Sequence, residues 1–355
     1  MSNPLEYLKE SVRNKKIYTL PDIDYDIKAN QNENPYDLPE SVKSEILQGI
    51  ESTDWNRYPR LGSGGLREKI GQSMGLPAGQ VMVGNGSNEI ILAVMNALLQ
   101  PGKQLVIAEP TFSLYRHYGE ISGARVEAVR LKEDFAFPAD EITDKSQQPD
   151  TALTVLCSPN NPTGSTIGET ELREILNTAP GFVLIDEAYI DFCSQDFCPL
   201  LDDYSNLIIT RTFSKAFAFA LGRFGYGVAA PDLVNEIYKV LMPYNLNGFS
   251  EIAAGILLQH RTDMETTINR IVRERERLIG RLSELDSLDV YPSEANFFLI
   301  KPEIPSDELY EQLIGEKILI RDVSHYPGLD NYLRISTGTP KENDNMFTAI
   351  ANILG

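Results

Sequence analysis

The chain has 355 residues, 42% of them hydrophobic, and a formal net charge of −19. That length accommodates a large domain and a smaller one, while so acidic a surface repels nucleic-acid phosphates and anionic lipid and leaves small molecules as the expected partners. Cys157, Cys193 and Cys198 are too few and oddly numbered for a disulfide framework, and beside three histidines their spacing makes no zinc site, so no metal is expected.

Residues 1–35 read as polar and irregular, with a helical patch near Pro4–Asn14. The first residues lack the basic and apolar regions of a signal peptide, and no apolar run is long enough for a bilayer, so a cytoplasmic location is expected. From Val81 the pattern alternates. Val81–Val83 reads as a strand, and Ser87–Leu99 as a helix capped by Ser87. Gln104–Ala108 follows as a strand, Thr111–Ile121 as a helix and Val126–Leu131 as a strand. Ala152–Cys157 is a strand and Glu169–Asn177 a helix. Phe182–Asp186, Leu207–Thr210 and Phe224–Ala229 are strands. Alternating strands and helices predict an α/β fold with a mostly parallel central sheet flanked by helices, and apolar strands without alternation predict burial on both faces. Beyond Pro231 a long helical stretch runs from Ser250 to Leu285. Strand Asn296–Lys301, helix Asp307–Gly315, strands Lys317–Arg321 and Tyr332–Ser336, and helix Glu342–Leu354 complete a smaller α+β domain. The expected division is 36–245 for the large domain, with 1–35 and 246–355 forming the small one.

Four short motifs end strands of the large domain. In Arg211-Thr212-Phe213-Ser214-Lys215-Ala216-Phe217, with Arg223 beyond it, a lysine sits among small hydroxyls near an arginine. That pattern suggests a lysine that condenses with an aldehyde beside a phosphate pocket. Asp186-Glu187-Ala188-Tyr189 ends an apolar run, and Asn161-Pro162-Thr163-Gly164 follows Cys157. Gly84–Glu89 joins a strand to a helix, so its backbone N–H groups and the helix dipole face an anion. It lacks the third glycine of a dinucleotide fingerprint, which argues against a nicotinamide cofactor. In this order the motifs resemble fold-type I pyridoxal-phosphate aminotransferases.

Pyridoxal 5'-phosphate makes demands that these residues can meet. Lys215 would carry the aldehyde and shuttle a proton. Asp186 would keep the pyridine nitrogen protonated. Tyr189 and Asn161 suit the phenolic oxygen. Gly86, Ser87, Asn88, Thr212, Ser214 and Arg223 suit the phosphate, an arginine gripping it bidentately. Phe112 could stack on the ring, although core packing is an equal reading. Arg334, inside an apolar strand, is the candidate for a substrate carboxylate, with a structural ion pair as the competing reading.

The whole set is similar to the histidinol-phosphate aminotransferase family. Asn32-Glu33-Asn34-Pro35-Tyr36 resembles its N-terminal substrate loop, which assigns Asn32 to substrate. Tyr58 resembles the tyrosine that reaches a neighbouring subunit's cofactor phosphate, and Pro243–Asn247 a substrate run that includes Asn247. Arg321 and Arg334 resemble a pair of substrate-anion arginines, with Tyr18 beside Arg321 at the distal phosphate. One departure is Ala220-Leu221-Gly222-Arg223, where the family has Ala-Gly-Leu-Arg. The resemblance implies a homodimer. It also implies reversible amino transfer between L-histidinol phosphate and 2-oxoglutarate, a step of histidine biosynthesis.

A threonine-phosphate decarboxylase or an aromatic-amino-acid aminotransferase of the same fold would share the cofactor residues. A ligand-sensing regulator of this fold would need an appended DNA-binding domain, against which the short segment before the substrate loop and the acidic charge both argue. An inactive homologue would be expected to lack some of the catalytic groups, all of which are present.

Overall fold

The computed structural model describes residues 3–17, 19 and 22–355. Its strands in chain order are β1 (Ile27–Lys28), β2 (Val81–Asn85), β3 (Gln104–Glu109), β4 (Arg125–Arg130), β5 (Thr151–Cys157), β6 (Phe182–Asp186) and β7 (Leu207–Thr212). They continue with β8 (Phe224–Ala229), β9 (Leu288–Val290), β10 (Phe297–Pro302), β11 (Ile318–Leu319), β12 (Arg321–Asp322) and β13 (Leu333–Ser336). The helices begin with α1 (Glu10–Arg13), α2 (Glu40–Glu51), α3 (Gly64–Met74), α4 (Ser87–Leu98), α5 (Leu114–Ser122) and α6 (Ala139–Ser146). They end with α7 (Glu169–Thr178), α8 (Pro231–Tyr238), α9 (Gly248–Leu257), α10 (Arg261–Leu282), α11 (Ser306–Gly315) and α12 (Pro340–Leu354). No described helix is long and apolar enough to cross a membrane.

Seven strands form the central sheet in the order β2-β8-β7-β6-β5-β3-β4, and only β8 runs antiparallel to its neighbours. Side chains alternate between its faces, so Val183 and Ile185 join one buried cluster while Leu184 joins another. Both clusters are apolar because helices cover both faces, which is why these strands carry unbroken hydrophobic runs. The carboxyl ends of β2, β3, β5, β6 and β7 share one edge. In such a sheet that edge is where ligand-binding groups gather.

A second sheet, β12-β13-β10-β9, is antiparallel throughout. Strand β1 pairs in parallel with β11, tying the N-terminal segment to a strand almost three hundred residues away. Its core, with Leu278, Phe298, Leu313 and Met346, is separate from those of the central sheet.

Some expected elements differ. The single helix over Ser250–Leu285 is two helices, because α9 packs on α2 and α3 while α10 packs on the second sheet and α12. At the break, the His260 ring bonds Asp263 at 3.0 Å and Glu45 of α2 at 2.8 Å. α9 therefore stays with the central sheet although it lies after the expected boundary at 245. The strand over Lys317–Arg321 is two short strands in two sheets, with the chain passing between them at Ile320. Ser87 is the first residue of α4 and Gly86, at φ 75°, is its cap. The helix expected from Thr111 begins at Leu114; the Thr111 hydroxyl is bound to Asn160 Oδ1 at 2.7 Å.

Candidate active site

A cavity of about 700 Å³ opens at the carboxyl edge of the central sheet, walled on its far side by β12, β13 and the N-terminal segment. Lys215 enters it from the tight loop after β7. Its Nζ donates to the Gln31 carbonyl at 2.8 Å and lies 5.9 Å from the Tyr189 ring centroid. Burial, with the Arg334 charge adding to it, pushes this amine down to about 7. Much of it is therefore uncharged near neutrality and able to act as a nucleophile.

Asp186, the last residue of β6, is buried at the cavity floor. The Tyr115 hydroxyl donates to its Oδ2 at 2.6 Å and the Thr210 hydroxyl to its Oδ1 at 3.1 Å. Burial raises this carboxyl, and the two hydroxyl bonds oppose the rise. A cationic ring nitrogen would complete the neutralisation.

The next wall is built for an anion. Gly86, Ser87 and Asn88 line the cavity at the start of α4, where N–H groups have no acceptor within the helix and the dipole is positive. Gly225 allows this close approach, since a Cβ there would stand 2.1 Å from the Ser87 nitrogen. Thr212 and Ser214 line the same wall, with Thr212 Oγ1 donating to Ser214 Oγ at 3.1 Å. Arg223 Nη1 lies 3.1 Å from Ser214 Oγ, and the arginine holds a left-handed backbone at φ 50°. The glycine at 222 has its own cause, because a Cβ there would lie 2.0 Å from the Phe219 ring.

Arg334 of β13 is buried. Its Nη1 donates to Asn161 Oδ1 at 2.5 Å and its Nη2 to the Asn30 carbonyl at 2.8 Å. Asn32 Nδ2 donates to the Tyr189 hydroxyl at 3.0 Å, and Ser336 binds Asn32 through both its backbone nitrogen and its Oδ1. Phe112 also lines the cavity, its ring edge-on to Tyr115 at 5.5 Å. Arg321, His325, Tyr326 and Glu33 line it too, away from the α4 end. Burial, then the Arg321 charge, lowers the His325 pKa.

Of the residues singled out from the sequence, Lys215, Asp186, Tyr189, Gly86, Ser87, Asn88, Phe112, Asn161, Thr212, Ser214, Arg223, Asn32, Arg334 and Arg321 all line this one cavity. Two stand apart. Asn247 caps α9, its Oδ1 accepting from Ser250 N at 2.9 Å, so its side chain is committed to the helix rather than to the cavity. Tyr58 is 81% exposed and stacks on Tyr244 at 4.7 Å, outside the lining. Tyr18 lies outside the described residues. Sequence reasoning did not single out Tyr115, Thr210 or His325; of these only Tyr115, three residues after Phe112 in an expected helix, carried a spacing signal.

One cluster away from the cavity has the spacing of metal ligands, namely Glu187, Asp196 and Cys198. Arg211 occupies it, donating to Glu187 Oε2 at 2.6 Å, Asp196 Oδ1 at 2.8 Å and Cys198 Sγ at 3.1 Å. The carboxylates already have their cation.

The donor set fits the cofactor that the motifs suggest. A depressed amine, a buried carboxylate with an open side and an amide-rich cationic cradle meet the three polar ends of pyridoxal phosphate.

Comparison with known proteins agrees in family and in fold. The description "Aminotransferase class I and II" matches residues 26–350. A histidinol-phosphate aminotransferase of Caldanaerobacter subterraneus subsp. tengcongensis is 35% identical over 347 residues, covering 98% of each chain. The crystal structure of histidinol-phosphate aminotransferase from Clostridium acetobutylicum is 28% identical, with a TM-score of 0.86 over 92% of this chain and 98% of its own. That of the Sinorhizobium meliloti enzyme, solved with pyridoxal-5'-phosphate, has a TM-score of 0.88 over 98% and 97% at 20% identity, a likeness of fold.

Proposed function

The chain belongs to the class I and II aminotransferase family, with the fold-type I architecture, and from that premise we propose that it exchanges an amino group between L-histidinol phosphate and 2-oxoglutarate in histidine biosynthesis. One observation carries the choice of substrates. The cavity that holds the Lys215 amine also holds two cations beyond the anion cradle, Arg334 and Arg321. A donor with a phosphate and an acceptor with two carboxylates both need an anion partner at a distance from the reacting carbon.

Pyridoxal phosphate, when bound, receives the amino group at its aldehyde carbon and offers an electron-poor ring that stabilises charge developing at the substrate Cα. The protein's residues do the rest. The α4 N-terminus with Ser87, Asn88, Thr212, Ser214 and Arg223 holds the phosphate. Asp186 keeps a proton on the ring nitrogen by placing a negative charge beside it. Tyr189 and Asn161 would supply hydrogen bonds to the phenolic oxygen, and Phe112 an apolar surface for the ring. Lys215, with its amine near neutral pKa, would move the proton between the substrate Cα and the aldehyde-derived carbon on the other side of the transferred nitrogen. In the half-reaction with 2-oxoglutarate, Arg334 would grip the carboxylate next to the reacting carbon, where its planar fork also orients the substrate; the phosphorylated donor carries no carboxylate there. Arg321 holds the distal phosphate or second carboxylate, with Asn32 bracing Tyr189.

The working form proposed is a homodimer in the cytoplasm. Its support is an exposed apolar band in which Trp55 meets Phe249 edge-on at 5.2 Å and Tyr58 stacks on Tyr244 at 4.7 Å. Leu221 is a further apolar side chain, 96% exposed, and large exposed apolar groups of this kind support an interface reading. Tyr58 in this band would reach the neighbour's phosphate. The division into a large domain around the central sheet and a small one around the second sheet is likewise proposed, and the β1–β11 pairing supports assigning the N-terminal segment to the latter.

The test is purified protein with pyridoxal phosphate, assayed with L-histidinol phosphate, L-histidinol and O-phosphothreonine. Amino transfer to 2-oxoglutarate with a strong preference for the phosphorylated alcohol supports the reading. Equal use of histidinol, or carbon dioxide released from phosphothreonine without amino transfer, overturns it.

A further inference from the structure

Asp186 is the deepest charged group of the cavity, and what holds it comes from outside the motifs that announce the site. Tyr115 sits in the first turn of α5 and is fully buried. Its hydroxyl is 2.6 Å from Asp186 Oδ2, across a gap of 71 positions in the sequence. Thr210 on β7 binds the other oxygen at 3.1 Å. With one hydroxyl on each oxygen, the carboxylate plane cannot rotate without breaking a bond. The same Tyr115 ring meets Phe112 edge-on, at 5.5 Å and 82° between planes. One side chain therefore touches the group beneath the cavity floor and the aromatic residue of its wall.

We propose that Tyr115 is a positioning residue that holds Asp186 and Phe112 in the arrangement that a pyridinium ring requires. The inference rests on the reading that Asp186 faces the ring nitrogen. A carboxylate taken out of water stays charged only as far as donors and cations support it. The Tyr115 hydroxyl is the shorter of the two side-chain donors. Removing it leaves Asp186 with Thr210, the Ala188 backbone N–H and the ring nitrogen, so the carboxylate holds the ring proton less firmly. A hydrogen bond to a charged group is worth about tenfold or more in an equilibrium. Phenylalanine at 115 keeps the edge contact with Phe112, which isolates the contribution of the oxygen.

The test compares Tyr115→Phe with the unaltered enzyme in two binding titrations, one with pyridoxal phosphate and one with its analogue carrying C–H in place of the ring nitrogen. The expected result is that the variant binds pyridoxal phosphate about tenfold more weakly and the analogue as tightly as the parent does. With pyridoxal phosphate saturating, kcat should fall by about tenfold while the substrate KM stays within about twofold. Equal losses for both compounds, or an unchanged kcat, overturn the proposal, since a purely structural role would weaken both alike. If the parent itself binds both compounds equally, the assignment of Asp186 to the ring nitrogen fails, and this inference with it. Thr210→Val removes the other donor and leaves Tyr115 in place. Should Tyr115→Phe not fold, the same split between the two compounds is expected of Thr210→Val, and its absence overturns the hydroxyl clamp.

Discussion

Arg334 on β13 and Asn161 after β5 are joined by a 2.5 Å bond from Nη1 to Oδ1, a link between the second sheet and the edge of the central one. With Nη2 on the Asn30 carbonyl, the guanidinium is oriented before any substrate arrives. Its fork is what an ammonium cannot reproduce. Arg334→Lys should raise the KM for 2-oxoglutarate about ten- to a hundredfold, in line with truncated charge pairs in buried sites. Steady-state kinetics at fixed amino donor checks this, and an unchanged KM removes Arg334 from the substrate's carboxylate.

Lys215 sets stability against activity. In the cofactor-free protein its amine lies at about 7 instead of 10.5. Between those values the unfolded chain binds a proton that the folded chain does not, so this group makes stability rise with pH across that window. At or below pH 7 the folded state bears the whole cost. Lys215→Met should therefore raise the thermal midpoint of the cofactor-free protein at pH 7 by an amount equivalent to about 1 kcal/mol or more, and the gain should vanish near pH 10.5. The same variant should lose activity by about a thousandfold. Calorimetry across pH and a turnover assay test the two halves separately.

Gly225→Ala should act on the anion cradle alone. Its new methyl would meet the Ser87 nitrogen at 2.1 Å and the Gly86 carbonyl carbon at 2.4 Å. Backbone cannot yield as a side-chain tip can, so the α4 N-terminus must shift, at a cost of about 1–3 kcal/mol. Pyridoxal phosphate affinity should drop while pyridoxal, which lacks the phosphate, binds as before. Equilibrium dialysis with both compounds distinguishes these outcomes.

If Tyr58 serves the neighbour's site, two crippled variants should repair each other. Tyr58→Ala and Lys215→Ala, each weak alone, should regain activity when mixed and allowed to exchange subunits, because one of the two sites then holds both residues. Sedimentation shows whether a dimer forms at all. Separately, Phe249→Asp in the apolar band that includes Trp55 should shift that equilibrium toward monomer.

The strands of the central sheet were legible because burial on both faces demands runs such as Val183-Leu184-Ile185, and the cavity motifs were legible because each closes one of those strands. What stayed hidden depended on partners distant in sequence. Nothing at Leu258-Gln259-His260 signals a helix break, since no glycine or proline stands there. The break follows from two packing surfaces that one straight helix cannot serve. Ile320 looks like mid-strand by its apolar character, yet the chain changes sheets around it. Asn247 resembles a substrate residue of the family by its place in the Pro243–Asn247 run, yet its Oδ1 accepts from Ser250 N and caps α9, a role visible only once the helix start is known. Tyr115 looked like one more helix aromatic, because its acceptor is on another strand.

The pairing of β1 with β11 has a consequence for how the protein is made. Gln31, whose carbonyl accepts from the Lys215 amine, lies three residues after a strand that pairs with residues 318–319. While the chain is still leaving the ribosome, β1 has no β11 to pair with until nearly all of the message has been translated. Premature termination between Lys215 and β11 therefore yields a polypeptide that has its lysine but lacks the partner of β1.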